Sequence, residues 1–381
     1  KKEIPMELRF GVVSVDDHVQ EHPDVWATRM SKSKWGSKIP HLSEQADGSQ
    51  LWKIDDQVVP IPGAGSAGAV MADRNQEPQR WDQVPAAAYN PEARLQAMDA
   101  DGVDYSVLYP TVPGMAAQYF GAIQDTSLEL ACVQAYNDFL IEEWGNYSVR
   151  FIPQCIVPIS SPKAASEELR RAVASGHRGV ILPSLPWHLK DVPHINDEEW
   201  DKLWQACQEL EVPVCFHAGA SPSTQLETWS GFTPALAAAM NSITGPASTI
   251  PIVANLLFSR IMTRFPKLKI VFAETTLAWG AYEIETADHQ FERQRLHTEG
   301  YDMKPSELFH RQCYLTGSYD QAAFLVRKYL GIENMLWQTN FPNANSTWPN
   351  TKDYINRSFE GVPTEERQMI LAGNAVNLYN I

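Results

Sequence analysis

Eight short apolar runs recur along this 381-residue chain, alternating with segments of helical periodicity. They are Phe10–Val15, Tyr105–Tyr109, Phe151–Val157, Gly179–Leu182, Val212–Phe216, Leu268–Ala273, Cys313–Thr316 and Met335–Gln338. Helical spacing of apolar residues is read over Glu92–Asp99, Leu128–Trp144, Ala164–Ala174, Glu198–Leu210, Ala278–Arg295, Gln321–Tyr329 and Glu365–Leu371. Strands that are apolar throughout and joined by helices form a parallel sheet, because each returning helix covers the sheet. Eight such units close a (β/α)8 barrel, which is the predicted fold, as one domain over residues 1–381. An open, doubly wound sheet is the alternative. Its nucleotide-binding versions are disfavoured, since no Gly-x-Gly-x-x-Gly follows any of the runs.

Two stretches interrupt the alternation. Residues 30–90 form a long insertion after the first strand, in which Leu51–Ile54 and Val58–Ile61 flank Asp55-Asp56 and read as a hairpin. Its glycine-rich tip, Pro62–Gly68, is expected to be flexible. Residues 218–250 follow the fifth strand and begin small and polar. Loops of this length in a compact domain are usually lids or binding loops, and both would lie at the C-terminal face of the barrel.

Charge and composition narrow the partners. With 31 basic and 46 acidic residues the formal net charge is −15, so phosphate backbones and anionic membranes repel the chain. No run of eighteen apolar residues is present to span a membrane. Lys1-Lys2 leads into Glu3 and Pro5 rather than an apolar stretch, so no signal peptide is read and the cytoplasm is the expected location. The chain opens on Lys rather than Met, which leaves its native start open. Five scattered cysteines, without paired spacing, read as buried thiols. Twelve tryptophans can thicken a core or wall a pocket for a bulky apolar ligand.

The strand ends carry the chemistry. The first runs into Asp16-Asp17-His18, where Asp16 and His18 point the same way. The fifth ends in His217, the sixth in Glu274 and the eighth in Asn340. Each residue alone has an ordinary structural explanation. Together they bring carboxylate, imidazole and amide oxygen to one end of the barrel, a plausible transition-metal site.

The chain resembles the amidohydrolase-2 family, the relatives of aminocarboxymuconate-semialdehyde decarboxylase. The matching text is Val15-Asp-Asp-His-Val-Gln-Glu21, Arg94-Leu-Gln-Ala-Met-Asp-Ala-Asp-Gly-Val103, Pro213-Val-Cys-Phe-His-Ala-Gly219, Lys269-Ile-Val-Phe-Ala-Glu274, Phe341-Pro-Asn-Ala-Asn-Ser-Thr-Trp-Pro349 and Ile370-Leu-Ala-Gly-Asn-Ala-Val-Asn-Leu-Tyr379. It covers nearly the whole chain apart from the insertions, and implies both the barrel and a metal at its mouth. The resemblance also marks departures. Where the family's hydrolases and decarboxylases end the eighth strand in a metal-binding Asp that handles the proton of the attacking water, this chain has Asn340. The family's following His is Asn343, and Glu274 stands where decarboxylase relatives carry His. A carboxamide is no base near neutral pH, although its oxygen can bind metal.

On the helix after the sixth strand, Glu285 and His289 share a face with Asp288 nearby; the family would place Tyr at position 289. If His289 faces the mouth, Asp16, His18, His217, Glu274, Glu285, His289 and Asn340 suffice for two metals. Mixed carboxylate and imidazole ligands with open positions suit iron that activates dioxygen. That pattern resembles the branch of TIM-barrel nonheme diiron monooxygenases typified by the hydroxylase of platensimycin and platencin biosynthesis, whose substrate is a polycyclic diterpenoid carried as a coenzyme A thioester. The expectation is therefore a monooxygenase holding two Fe ions, with Glu274 and Asn340 at the reaction centre. It would use O2, an external electron donor and a bulky, CoA-linked apolar substrate in secondary metabolism.

Arg29, Lys32, Lys34 and Lys38 could hold the phosphates of a CoA handle. Trp187, Trp229, Trp279 and Trp348 follow strands four, five, six and eight and could wall the pocket, while Glu21 would orient a ligand residue. The alternative is a hydrolase or decarboxylase with one Zn, its water activated by Asp17 or Glu274. A third possibility is a barrel that binds a ligand without chemistry. A homodimer follows from the family resemblance alone.

Overall fold

The structure is a computed structural model that describes residues 8–381 apart from 56, 60–63, 75 and 219–229. Its strands, in chain order, are β1 (Val13–His18), β2 (His41–Glu44), β3 (Gln50–Ile54), β4 (Gln57–Val58), β5 (Tyr105–Tyr109) and β6 (Phe151–Pro153). They continue with β7 (Cys155–Ile156), β8 (Val180–Ile181), β9 (Val214–His217), β10 (Ile270–Ala273), β11 (Cys313–Gly317) and β12 (Met335–Trp337). Parallel pairing runs β1–β5–β6 and then β7–β8–β9–β10–β11–β12. The β6 and β7 segments are one barrel strand interrupted at Gln154, so eight strands make the wall, as predicted. Backbone bonds from Asn340 N to Asp16 O (2.9 Å) and from His18 N to Phe341 O (2.6 Å) close β12 onto β1.

The strand faces are buried on both sides, which accounts for the unbroken apolar runs in the sequence. Trp26, Trp52, Trp144, Trp200, Trp204 and Trp337 are fully buried, so half of the twelve tryptophans serve the core. Each removes roughly 200 Å² from water, a gross contribution of about 5 kcal/mol before ordering costs. All five cysteines are free and buried, as expected. No described helix is long and apolar enough to cross a membrane.

The first strand starts at Val13 rather than Phe10, for a local reason. The Asp104 carboxylate accepts the N–H groups of Arg9, Phe10, Gly11 and Val12, and Gly11 takes a positive φ of 77°. Those backbone donors are taken by a side chain and cannot join the ladder.

The insertion after β1 carries the expected hairpin, β3–β4, and a further strand, β2, which the sequence did not announce because His-Leu-Ser-Glu has no β-branched residue. Leu42 pairs opposite Trp52, and Trp52 meets Trp26 edge to face at 5.8 Å. The expected flexibility of the tip is corrected over its described part. Ala64 and Ala67 are buried and Ser66 N donates to the Gln20 side chain at 2.9 Å. From there the insertion clasps the loop after β12, with Ala69 N bonded to Pro342 O at 3.0 Å and Arg74 Nη2 to Ser346 O at 2.6 Å. The second stretch, 218–250, is largely helical in its described part. Pro234–Thr244 is a helix whose Thr233 side chain caps Leu236 N.

Candidate metal centre and its cavity

Asp16 and His18 sit at the C-terminal end of β1, His217 ends β9, and their ligand atoms lie within 4.8 Å of one another. Nε2 of His18 and Nε2 of His217 are each 3.4 Å from Asp16 Oδ1. The opposite ring nitrogens are already engaged: His18 Nδ1 faces Pro110 O at 3.3 Å and His217 Nδ1 faces Ala218 O at 2.9 Å. An Nδ1–H donated to a carbonyl leaves Nε2 as the lone-pair nitrogen, turned toward Asp16. Glu21 supports this arrangement by accepting Thr111 N and Val112 N, the residues that follow Pro110.

The metal fit rests on atoms without partners. Asp16 Oδ1 and Oδ2, His18 Nε2, His217 Nε2 and Asn340 Oδ1 are all buried and make no hydrogen bond. Buried polar atoms left bare cost about 1–3 kcal/mol each, so convergent bare acceptors of this kind fit a cation. Burial lowers His18 to about 4, favouring the neutral ligand form. Burial also disfavours charge on Asp16, but His217 and His18 outweigh it and hold the carboxyl below its ordinary value. Burial works against protonating His217 as well, and the Asp16 carboxylate reverses that, raising it to about 9.

Beside the triad stands a pair from two strand ends. Glu274 and Asn340 both have left-handed backbones, φ 53° and 57°, which turn the chain out of β10 and β12 at the mouth. Asn340 Nδ2 donates to Glu274 Oε1 at 2.6 Å, and Glu274 Oε2 lies 3.8 Å from His217 Nε2. Burial raises the Glu274 carboxyl. Above the pair opens a cavity of about 680 Å³, into which Glu274, Asn340, Asn343 and Gln338 project together with Tyr319 and Thr276. One face of the Pro234–Thr244 helix and the turn after it, Ala238, Asn241, Ser242 and Gly245, forms another wall. That wall falls within the 218–250 stretch read as a lid or binding loop; its helix is not read from the sequence, because an exposed, Ala-rich helix lacks an amphipathic pattern.

Several expected site residues lie elsewhere. Glu285 and His289 are exposed on the outward side of the helix Trp279–Arg293, and Asp288 is spent on Ser306 N and Oγ at 2.9 and 2.7 Å. The seven-residue, two-iron site is therefore corrected: the described residues gather one group that could hold a metal ion, Asp16, His18 and His217, with Glu274 beside His217 and Asn340 bonded to Glu274. Asp17 is also corrected as a water-activating base. Its carboxylate accepts Ser14 Oγ, Thr339 Oγ1, Ser106 Oγ and Phe341 N, stitching β1 to β5 and the loop after β12.

The tryptophan wall does not form among the described residues. Trp187 stacks on His194 at 3.7 Å, Trp279 donates to Thr275 O, and Trp348 packs on Phe341; none lines the cavity. Trp229 lies outside the described residues. The basic cluster is divided: Arg29 pairs with Glu142 and Glu143, and Lys38 with Asp55. Lys32 and Lys34 stay exposed, Lys34 over the Trp35 ring, and neither reaches the cavity lining.

Fold and site together define a (β/α)8 barrel with a group that could hold a metal ion, Asp16, His18 and His217, at the C-terminal ends of its strands. Residues 51–381 match the Amidohydrolase family, and the chain belongs to it. By sequence it is 24% identical over 306 residues to the gamma-resorcylate decarboxylase of a Polaromonas species, covering 76% of this chain and 87% of that protein. Further relatives at 25–28% identity, matched over about half their length or less, are also decarboxylases. Among solved structures, an amidohydrolase of Mycobacterium avium subsp. paratuberculosis superposes with a TM-score of 0.78 at 20% identity, over 98% of this chain and 99% of that one. The dihydroxybenzoic acid decarboxylase of Polaromonas, solved with manganese and 2-nitroresorcinol, superposes at 0.62 and 21% identity over 79% and 89%. At these identities the superpositions speak for the fold. The expectation of a diiron monooxygenase is overturned by the sequence relatives, which are decarboxylases, and by the exposed positions of Glu285 and His289.

Proposed function

We propose that this protein is a metal-dependent decarboxylase of hydroxylated aromatic carboxylic acids. The observation that carries the reading is the placement of Glu274, a carboxyl group on the cavity floor beside the Asp16–His18–His217 group and held by Asn340. The decarboxylases among its relatives support the same class of reaction.

Loss of CO2 leaves an electron pair on carbon, and protonating that carbon gives the pair a place to go. Glu274 is the cavity-lining acid among the described residues, and its burial favours the protonated form that a proton donor needs. The proton passes from Glu274 to the ring carbon that bears the carboxylate, the carbon–carbon bond then breaks, and its electrons restore the ring. The Glu274 carboxylate regains its proton from solvent. A divalent ion held by Asp16, His18, His217 and the Asn340 amide oxygen would supply Lewis-acid charge for the substrate's oxygens.

Where the resemblance places a proton-handling Asp this chain has the amide of Asn340, so the proton of the reaction falls to Glu274. Hydrolysis needs a base to take a proton from water, which an amide cannot do, whereas decarboxylation consumes no water. Its Nδ2–H instead fixes the Glu274 carboxyl and leaves Oδ1 free to face the ligand group. Manganese-loaded protein incubated with carboxyl-labelled 2,6-dihydroxybenzoate and larger ortho-hydroxy acids tests the reading. Labelled CO2 should appear in step with loss of acid, and Glu274→Gln should reduce the rate by about a hundredfold or more. Full activity in that variant, or no CO2 from any acid that binds, would contradict it.

A further inference from the structure

The cavity says more about the substrate than the reaction does. Its volume is about 680 Å³, in the middle of the roughly 300–1,000 Å³ range that encloses drug-sized ligands. A single-ring acid such as dihydroxybenzoate leaves much of that space empty. The room comes from small side chains: Ala238, Ser242 and Gly245 face the cavity from the 234–244 helix and the turn after it, Gly317 from the end of β11, and Ser318 and Ala344 from the loops after β11 and β12.

The charge is as informative as the volume. Glu274 is the one formally charged side chain among the described lining residues, and the rest of the polar lining is amide and hydroxyl. Among the described lining residues there is thus no cation to pair with a second carboxylate or a phosphate, and a second anion buried near Glu274 would find only amides and hydroxyls there. Amides such as Asn241, Asn343 and Gln338 suit neutral hydroxyl and carbonyl groups instead.

We infer that the substrate is a monocarboxylic acid with a body larger than a single ring, carrying neutral oxygen functions and no second anionic group. This rests on the decarboxylase reading for the site that receives the carboxylate, while the size and neutrality of the body rest on the cavity.

Calorimetric titration of manganese-loaded protein with three acids tests it. The probes are 2,6-dihydroxybenzoate, the fused-ring 1-hydroxy-2-naphthoate and the dicarboxylate 5-carboxyvanillate. The naphthoate should bind about tenfold or more tighter than the dihydroxybenzoate, and the dicarboxylate weakest. Ser242→Phe, which fills the cavity, should bring the ratio of the first two acids toward one. Asn241→Arg should lift 5-carboxyvanillate out of last place by supplying a partner for its second carboxylate. A naphthoate that binds no better than the single-ring acid, a dicarboxylate that binds as tightly as either in the unaltered protein, or no binding by any of the three would overturn the inference. Release of CO2, followed in parallel, separates the two ideas. The predicted binding order without CO2 sinks the reaction and leaves the substrate class standing. CO2 from dihydroxybenzoate with the order reversed does the opposite.

Discussion

Asn340 at the end of β12 donates a 2.6 Å hydrogen bond through Nδ2 to Oε1 of Glu274 at the end of β10. Both backbones are left-handed there, and the chain leaving β10 meets the chain leaving β12 through this pair, with Glu274 Oε2 3.8 Å from His217 Nε2. The bond fixes the amide's orientation: with Nδ2 committed to Glu274, Oδ1 faces the other way, buried and without a partner. One residue thereby positions the proposed acid and keeps a bare, buried amide oxygen in reserve.

Asn340→Asp is therefore informative. It replaces a donor to Glu274 with a second carboxylate, which favours a shared proton between the two groups, and it strengthens the oxygen offered to a cation. Manganese affinity should rise by about tenfold, and decarboxylation should persist. A variant with weaker metal binding would mean that Oδ1 does not face the ion.

Arg94 is fully buried, donates to the main-chain oxygens of Ala87, Ala88 and His18, and lies over the Phe341 ring at 4.5 Å. The 2.7 Å bond to His18 O ties the helix after the insertion to a ligand's backbone. Arg94→Lys keeps the charge but loses the planar fork. We expect a loss of about 3 kcal/mol in denaturant unfolding and weaker manganese binding. Unchanged unfolding would show that water or lysine replaces those bonds without cost.

His177 gives a pH signature outside the site. It is buried, with Nδ1 on Ala172 O at 3.0 Å, and burial lowers it from 6.5 to about 4. Between those values the unfolded chain binds a proton that the folded chain does not, so stability falls as pH drops from 6.5 to about 4. The loss from this group is at most about 3 kcal/mol. In His177→Gln the unfolding free energy should depend less steeply on pH in that window, and an identical slope would remove His177 as the cause.

Much of the barrel was legible because strands apolar on both faces and amphipathic helices each leave a period in the sequence. The residues Asp16, His18, His217, Glu274 and Asn340 could be placed at one mouth by strand direction alone, and the structure brings them together there. Glu285 and His289 failed for a reason that spacing cannot reveal. Helical periodicity shows that two residues share a face, but the neighbouring packing decides which way that face turns. Trp187, Trp279 and Trp348 failed similarly, since a tryptophan after a strand can fold back on the core as easily as line the mouth. The 218–250 stretch was legible as a lid or binding loop at the mouth, but not the helix that carries Ala238, Asn241 and Ser242, because small and polar residues read as loop until a helix is built from them.

A single-metal and a two-metal site differ most directly in the number of ions bound and the residues that hold them. Metal analysis of manganese-saturated protein after removal of excess ion, on the unaltered chain, on His217→Ala and on the Glu285→Ala/His289→Ala double variant, decides between them. We predict one manganese per chain in the unaltered protein and the double variant, and almost none in His217→Ala. Two ions per chain, with one lost in the Glu285→Ala/His289→Ala variant, would contradict the single-metal site and the function built on it.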